Sequence, residues 1–185
     1  MSVIEPTGTR RRGDAGSVGV VPAVAGIGPV GIGATDLASA AALVAAQPDL
    51  WRPRVRHQLH RRFYERVAVT EDYEVWLICW DVGQMTLLHD HGSSAGAFVV
   101  VDGALLEDHG RPGSGRLRQR RIPRGRMRSF GPSYVHNLTN PGPGLATSIH
   151  AYSPILTTMT YYAVLPGGAV PVRTLPVESP EPAAA

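Results

Sequence analysis

Short apolar segments rich in β-branched and aromatic residues follow one another from residue 63 to residue 164. The clearest runs from Glu74 to Trp80, and a second runs from Ala97 to Val101 and ends at the turn pair Asp102-Gly103. Gly, Pro and Asn separate five further predicted strands, at 117–122, 127–130, 136–139, 146–152 and 158–164. Helices do not alternate with these strands, so the pattern predicts an all-β barrel or sandwich.

Two helices are predicted before the first strand. The first begins near Asp36, which can cap it, presents apolar residues through Val44 and is limited by Pro48. A second short helix is predicted over 54–61. The pattern therefore places one or two helices on the N-terminal side of the β-domain.

The two ends of the chain differ in composition from its centre. Residues 1–34 are rich in Gly, Ala, Val and Pro, which predicts a disordered extension. Three arginines at 10–12 also raise the alternative of a twin-arginine export signal, but the apolar run after them is weak and interrupted by proline. We expect one folded domain over 35–172 and a flexible tail over 173–185.

Composition and charge narrow the functional classes. Cys79 is the single cysteine, which excludes an intrachain disulfide framework and an all-cysteine zinc site and suggests a cytoplasmic location. The net charge is +3, and the sequence has arginines but no lysine, with eight arginines between residues 111 and 128. Proline and glycine interrupt this cluster, so we predict a solvated hairpin face. We expect a monomer without nucleic-acid or membrane partners.

Three histidines form the candidate metal site. His89 and His91 are two residues apart, so in an extended segment both imidazoles point to the same face. His136 lies on a later predicted strand. Three neutral imidazoles would leave coordination positions open, which is typical of a catalytic metal site rather than a structural one.

The residues around these histidines resemble cupin motifs. The spacing Gly83-x5-His89-x-His91-x4-Gly96-x6-Gly103 resembles the first motif, except that Gly96 stands where most cupins have a metal-binding Glu. His136-x3-Asn140 resembles the second motif, behind a Pro132-x-Tyr134 that is one residue closer than usual. A site of three histidines without a carboxylate suits Fe(2+) and would favour an anionic thiolate as a further ligand.

The chain resembles the cysteine dioxygenase family over about residues 60 to 165. The resemblance rests on 76–80, on His89-Asp90-His91-Gly92, and on Ser148-x-His150-x-Tyr152 followed by Ser153-Pro154. It implies a jelly-roll barrel, the double-stranded β-helix of cupins, and a catalytic relay in which Ser148 bonds His150 and His150 orients the Tyr152 hydroxyl. The three relay residues occupy alternate positions of one predicted strand and so share a face.

The family also uses an Arg, with a Tyr two residues before it, to bind the substrate carboxylate. Tyr64 and Arg66 match this pattern, and Arg61 and Arg62 are nearby competitors. Related enzymes that oxidise 3-mercaptopropionate carry Gln there, so an Arg indicates an amino-acid substrate. Vertebrate relatives have a Cys that crosslinks to the active-site Tyr. Gly96 occupies that position here, so the crosslink cannot form from it, as is common in bacterial members of the family.

These features predict an iron-dependent thiol dioxygenase that oxidises L-cysteine to cysteine sulfinic acid with dioxygen, with no organic cofactor. Two alternatives stay open. One is a dioxygenase for 3-mercaptopropionate or another small thiol such as cysteamine. The other is a non-catalytic metal-binding cupin, which would leave the relay residues and Arg66 unexplained.

Overall fold

The computed structural model describes residues 33–177, which form two short helices followed by ten strands. Helix α1 spans Ala34–Ala45 and α2 spans Pro48–Trp51, and a 3-10 turn continues α2 over Arg52–Arg54. The strands are β1 Phe63–Val69, β2 Glu74–Trp80, β3 Ala95–Asp102, β4 Ala104–Gly110, β5 Arg118–Pro123, β6 Met127–Phe130, β7 Val135–Thr139, β8 Ala146–Ser153, β9 Thr158–Leu165 and β10 Gly168–Pro176. This confirms the predicted all-β fold with N-terminal helices.

The strands form two antiparallel layers. One sheet has the order β1-β2-β8-β3-β6, and the other layer contains β5-β4-β7 and the hairpin β9-β10. Within the second layer, the segment from Met85 to Asp90 connects β5-β4-β7 to the hairpin β9-β10. Met85 and His89 form bridges to β7, and His89 also forms a bridge to β9. The layer that carries His89 is therefore held together partly by an extended connection rather than by a regular strand.

Strand alternation divides the five-stranded sheet into two faces. Odd-numbered side chains of β2, β3 and β8 pack under the apolar face of α1, where Leu37, Ala41, Val44, Val75, Leu77, Cys79, Ala97, Ile149 and Ala151 are buried. Even-numbered side chains face the interior between the layers, where Trp80, Phe98, Val100, Leu105, Ile122, Leu138 and Tyr152 form a second core. The helix seals one face, and the other face is free to carry a site. Cys79 is a free, buried thiol.

The N-terminal helices differ from the prediction in two ways. The first helix is capped by Gly33 rather than Asp36, which lies in the first turn, where its charge favours the helix dipole. The helix predicted over 54–61 is wrong, because the helical turns end at Arg54. Beyond it, His57 Nδ1 contacts Asp81 Oδ1 at 3.2 Å and the Gln58 carbonyl accepts from Gln84 Nε2 at 2.6 Å. These tertiary bonds hold the segment against the barrel in a non-helical path with a turn at residues 59–60.

At the chain ends, most of the predicted extension, residues 1–32, and residues 178–185 of the predicted tail lie outside the described residues. Strand β10 continues to Pro176, so residues 173–176 of the predicted tail are part of a hairpin. Among residues 33–177, no helix has the length and apolar character needed to cross a membrane.

Candidate metal centre and active site

Three buried histidines meet between the two layers. One ring nitrogen from each of His89, His91 and His136 lies within 4.8 Å of the others, and at most 4% of any of these residues is exposed. Their ring centroids are 4.9 to 5.1 Å apart. The structure therefore brings together all three histidines that the sequence predicts as metal ligands.

Backbone pairing places these rings. His89 and His136 exchange two backbone hydrogen bonds of 2.9 Å, which fixes the extended segment beside β7. Asp90, between the two neighbouring histidines, points the other way. Its carboxylate accepts from the Gly92 and Thr160 amides at 2.9 and 3.2 Å and from the Tyr162 hydroxyl at 2.6 Å. Asp90 thus locks the His-x-His segment to β9.

The hydrogen bonds of the three imidazoles leave nitrogen lone pairs for a metal. His89 Nδ1 donates to the Leu87 carbonyl at 2.7 Å, and His136 Nδ1 lies 2.9 Å from Glu107 Oε1, so each Nε2 stays available. His91 Nε2 is buried and has no hydrogen-bond partner within residues 33–177. Burial, with the charge of His136, lowers the pKa of His89 to about 3, and burial also lowers the pKa of His91. Neutral, converging imidazoles fit a divalent metal ion.

The predicted relay forms on β8. Ser148 Oγ lies 2.8 Å from His150 Nε2, and His150 Nδ1 lies 3.2 Å from the Tyr152 hydroxyl. Phe98 stacks on the His150 ring with centroids 5.0 Å apart, and the Tyr152 ring lies 4.8 Å from that of His91. The relay therefore ends beside the three-histidine cluster.

Trp80 sets the direction of this relay. Its indole Nε1–H can only donate, and it donates to Ser148 Oγ at 2.9 Å. Within the described chain the Ser148 hydroxyl has no acceptor other than His150 Nε2, so its hydrogen points there. His150 must then carry its hydrogen on Nδ1 and donate to Tyr152. The phenol hydrogen is left to point into the cavity.

A cavity of about 110 Å³ is lined by the three histidines and by His150 and Tyr152 of the relay. Arg62 and Tyr64 line it, whereas Arg66 does not. The Arg62 guanidinium lies 4.9 Å from the Trp80 ring centroid and donates to the Met85 carbonyl at 2.9 Å. Arg66 instead forms an ion pair with Glu74 Oε2 at 3.2 Å, and 47% of its side chain is exposed. Of the described arginines, Arg62 alone lines the cavity.

Gly96 lies where a carboxylate ligand or a crosslinking cysteine would stand. It pairs with Phe130 on one side and Tyr152 on the other. A Cβ added at Gly96 would lie 2.5 Å from the Phe130 ring and 3.0 Å from Tyr152 Cδ1. Phe130 therefore fills the space that a side chain at position 96 would need, so this position adds no ligand to the three histidines.

The sequence reading missed Glu107 and Trp80, and it named Arg62 only as a competitor of Arg66. Glu107 lies on β4, a strand that was not predicted, although Leu105 and Glu107 alternate directly after the turn Asp102-Gly103. Alternate residues after that turn, Leu105 and Glu107, are both fully buried, so the alternation could have predicted a strand with Glu107 facing inward. Arg120 of the predicted solvated hairpin also turns inward and bonds Glu107 Oε2 at 2.7 Å.

Comparison with known proteins agrees with this geometry. Residues 31–164 match the family model of cysteine dioxygenase type I. No curated protein gives a significant match. Among solved structures, a protein from Thermus thermophilus superposes with a TM-score of 0.50 at 15% identity, over 56% of this chain and 93% of its own.

Two further solved structures are similar over part of the chain. A cupin superfamily protein from Desulfitobacterium hafniense has a TM-score of 0.47 at 6% identity, over 56% of this chain and 87% of its own. A conserved protein with a double-stranded β-helix domain from Klebsiella pneumoniae has a TM-score of 0.47 at 19% identity, over 69% of this chain and 94% of its own. The family match and the two antiparallel layers agree with the predicted cupin barrel.

Proposed function

Because this chain belongs to the cysteine dioxygenase type I family, we propose that it oxidises the thiol of L-cysteine to cysteine sulfinic acid with dioxygen. The observation that carries the proposal is that one cavity is lined by the three histidines, by His150 and Tyr152 of the directed relay, and by Arg62, the one arginine among the described lining residues. Both atoms of dioxygen go to the sulfur, so the reaction balances without a further reductant.

We infer that His89, His91 and His136 hold Fe(2+), with His91 Nε2 and the Nε2 atoms of the other two rings as ligands. When bound there, the ferrous ion would bring thiolate and dioxygen together and activate both for reaction. Three imidazoles without a protein carboxylate leave room in the coordination sphere for an anionic sulfur ligand. The space at Gly96, filled by Phe130, favours the same ligand set.

Arg62 takes the carboxylate-binding role that the sequence assigned to Arg66. Arg62 is the one arginine among the described residues that line the cavity, and its guanidinium can form charge-assisted bonds with a carboxylate. Tyr64 lines the same cavity, near its mouth, with 49% of the residue exposed. Arg66 lies outside the cavity lining and is engaged by Glu74.

Tyr152 would act as a neutral hydrogen-bond donor. Burial, helped by the negative charge of Glu74, raises the pKa of Tyr152 above its ordinary value, so the phenol keeps its proton. His150 Nδ1–H donates to the Tyr152 phenol oxygen, so the phenol hydrogen is directed toward the reacting groups. This preorganised donor stabilises charge that develops as oxygen is transferred to the sulfur.

A second candidate substrate is 3-mercaptopropionate. None of the described residues that line the cavity is an Asp or a Glu, so no lining carboxylate balances the charge of a free substrate ammonium group. A thiol carboxylate without an amine would therefore also fit. Cysteamine fits less well, because it has nothing for Arg62 to bind.

Oxygen uptake tests the proposal. Iron-loaded protein is given L-cysteine, 3-mercaptopropionate and cysteamine in turn, and sulfinate is quantified beside oxygen. The proposal predicts one sulfinate per oxygen molecule, with the highest kcat/KM for L-cysteine and the lowest for cysteamine. A higher kcat/KM for 3-mercaptopropionate would make it the substrate in place of L-cysteine and leave the proposed thiol dioxygenation unchanged. Iron binding without sulfinate from any of the three thiols would contradict the proposed activity.

A further inference from the structure

A buried carboxylate lies directly behind one metal-ligand histidine. Glu107 is fully buried on β4, and its Oε1 accepts from His136 Nδ1 at 2.9 Å. The Tyr134 hydroxyl donates to the same oxygen at 2.9 Å, and Arg120 Nε donates to Oε2 at 2.7 Å. Arg120 Nη2 also donates to the Tyr134 hydroxyl at 2.7 Å. Glu107 thus joins the metal cluster to a cation at the barrel surface.

We propose that Glu107 is a positioning residue that orients His136 and supplies the negative charge that a fourth protein ligand would give. This inference rests on the metal site of the proposed function. Position 96 is a glycine and supplies no carboxylate, and a Cβ there would lie 2.5 Å from the Phe130 ring, which would have to move. Glu107 does not reach the metal position itself. It accepts the hydrogen bond from His136 Nδ1, and its charge raises the basicity of the His136 imidazole as a ligand.

The hydrogen-bond directions support this role. Arg120 is always protonated and can only donate, and Tyr134 donates to Oε1 while it accepts from Arg120. Two fixed donors therefore hold the carboxylate as an acceptor for His136 Nδ1–H. This leaves the Nε2 lone pair of His136 directed at the other two histidines. Without the carboxylate, nothing in the described structure would specify which His136 nitrogen carries the hydrogen.

The test substitutes Glu107 with Gln and measures metal affinity. A Gln side chain can accept from His136 or from Arg120, but its amide nitrogen would then face the remaining donor. The matched control is Glu74→Gln. Glu74 is also buried, 1% exposed, and also paired with an arginine, but it has no bond to a metal-ligand histidine. Cobalt(II) affinity of the apo protein is measured by competition with a chelator, so that no thiol turnover is required.

We expect Glu107→Gln to bind cobalt about 10- to 100-fold more weakly than the wild type, and Glu74→Gln to bind it as the wild type does. Equal weakening by both substitutions would overturn the proposal, because it would reduce the effect to loss of a buried charge. Unchanged affinity in folded Glu107→Gln would also overturn it.

A measurement on the wild type decides the matter even if Glu107→Gln does not fold. In zinc-loaded protein, nitrogen-15 NMR of the histidine side chains should show His136 protonated at Nδ1 and metal-bound through Nε2. The opposite assignment would refute the role of Glu107. Wild-type protein that binds metal with this signature but oxidises no thiol would contradict the proposed function and leave the role of Glu107 intact.

Discussion

Exchanging Arg62 for Gln separates the arginine inside the cavity from its neighbour outside. Arg62→Gln removes the cation that lines the site and shortens the side chain. Arg66→Gln is the matched control, because it makes the same change four residues further along the chain. Arg66 is ion-paired with Glu74 and has no place in the cavity lining. The two variants lose the same charge, so comparing them tests the effect of the arginine's location.

The size of the effect follows from the surroundings of each guanidinium. A hydrogen bond to a charged group contributes about 1.5–3 kcal/mol, and more where water is excluded. Losing one such bond in the transition state lowers kcat/KM by roughly 10- to 100-fold. The Arg66 side chain is 47% exposed, but its partner Glu74 is 1% exposed, so loss of Arg66 leaves a buried carboxylate without its cation and destabilises the fold. Its loss affects stability more than catalysis.

The assay is sulfinate formation from L-cysteine and cysteamine by each variant at equal iron content. Arg62→Gln should lose kcat/KM for L-cysteine while changing little for cysteamine, which has no carboxylate. Arg66→Gln should resemble the wild type with both thiols. The reverse result, with the L-cysteine defect in Arg66→Gln alone, would restore the assignment made from sequence and refute the one made from the cavity.

Three further outcomes are expected. His91→Ala should abolish iron binding while the melting temperature of the apo protein stays within a few degrees; retained iron would remove His91 from the ligand set. Tyr152→Phe should keep fold and iron but lower sulfinate yield per oxygen consumed, with a rate loss of about 10- to 1,000-fold; equal yield and rate would reduce Tyr152 to a packing residue. Burial lowers the pKa of His89 and His150 in the folded state, so the unfolded apo chain binds more protons below pH 6.5. Stability of the apo protein should therefore fall as pH drops from 6.5 toward 3, by up to about 1.4 kcal/mol per pH unit for each histidine; a flat profile in chemical denaturation would contradict this.

Local pattern was sufficient wherever side-chain alternation decided the structure. Strand β2 was predicted with its observed ends, and the i, i+2, i+4 spacing of Ser148, His150 and Tyr152 predicted a shared face that the hydrogen bonds confirm. The failed helix at 54–61 shows the opposite case. Its residues favour helix locally, but bonds to Asp81 and Gln84, more than twenty residues away, hold the chain in a non-helical conformation.

The sequence did not identify some site residues, because their roles depend on how far a side chain reaches into the cavity and on how the strands are paired. Residues 62, 64 and 66 are spaced two apart, so parity cannot tell which arginine reaches the cavity and which meets Glu74 at the rim. Glu107 reaches His136 because β4 and β7 pair with His109 opposite His136. That register brings together two side chains 29 positions apart, and it follows from the whole sheet rather than from any local motif.

The most direct test of the central claim is the fate of dioxygen. Iron-loaded protein is supplied with L-cysteine under oxygen-18 gas in ordinary water, and the product is analysed by mass spectrometry. We predict cysteine sulfinic acid that carries two oxygen-18 atoms, since both atoms of one dioxygen molecule go to the sulfur. A sulfinate with a single labelled oxygen, or cystine as the only product, would contradict the assignment of this site as a thiol dioxygenase.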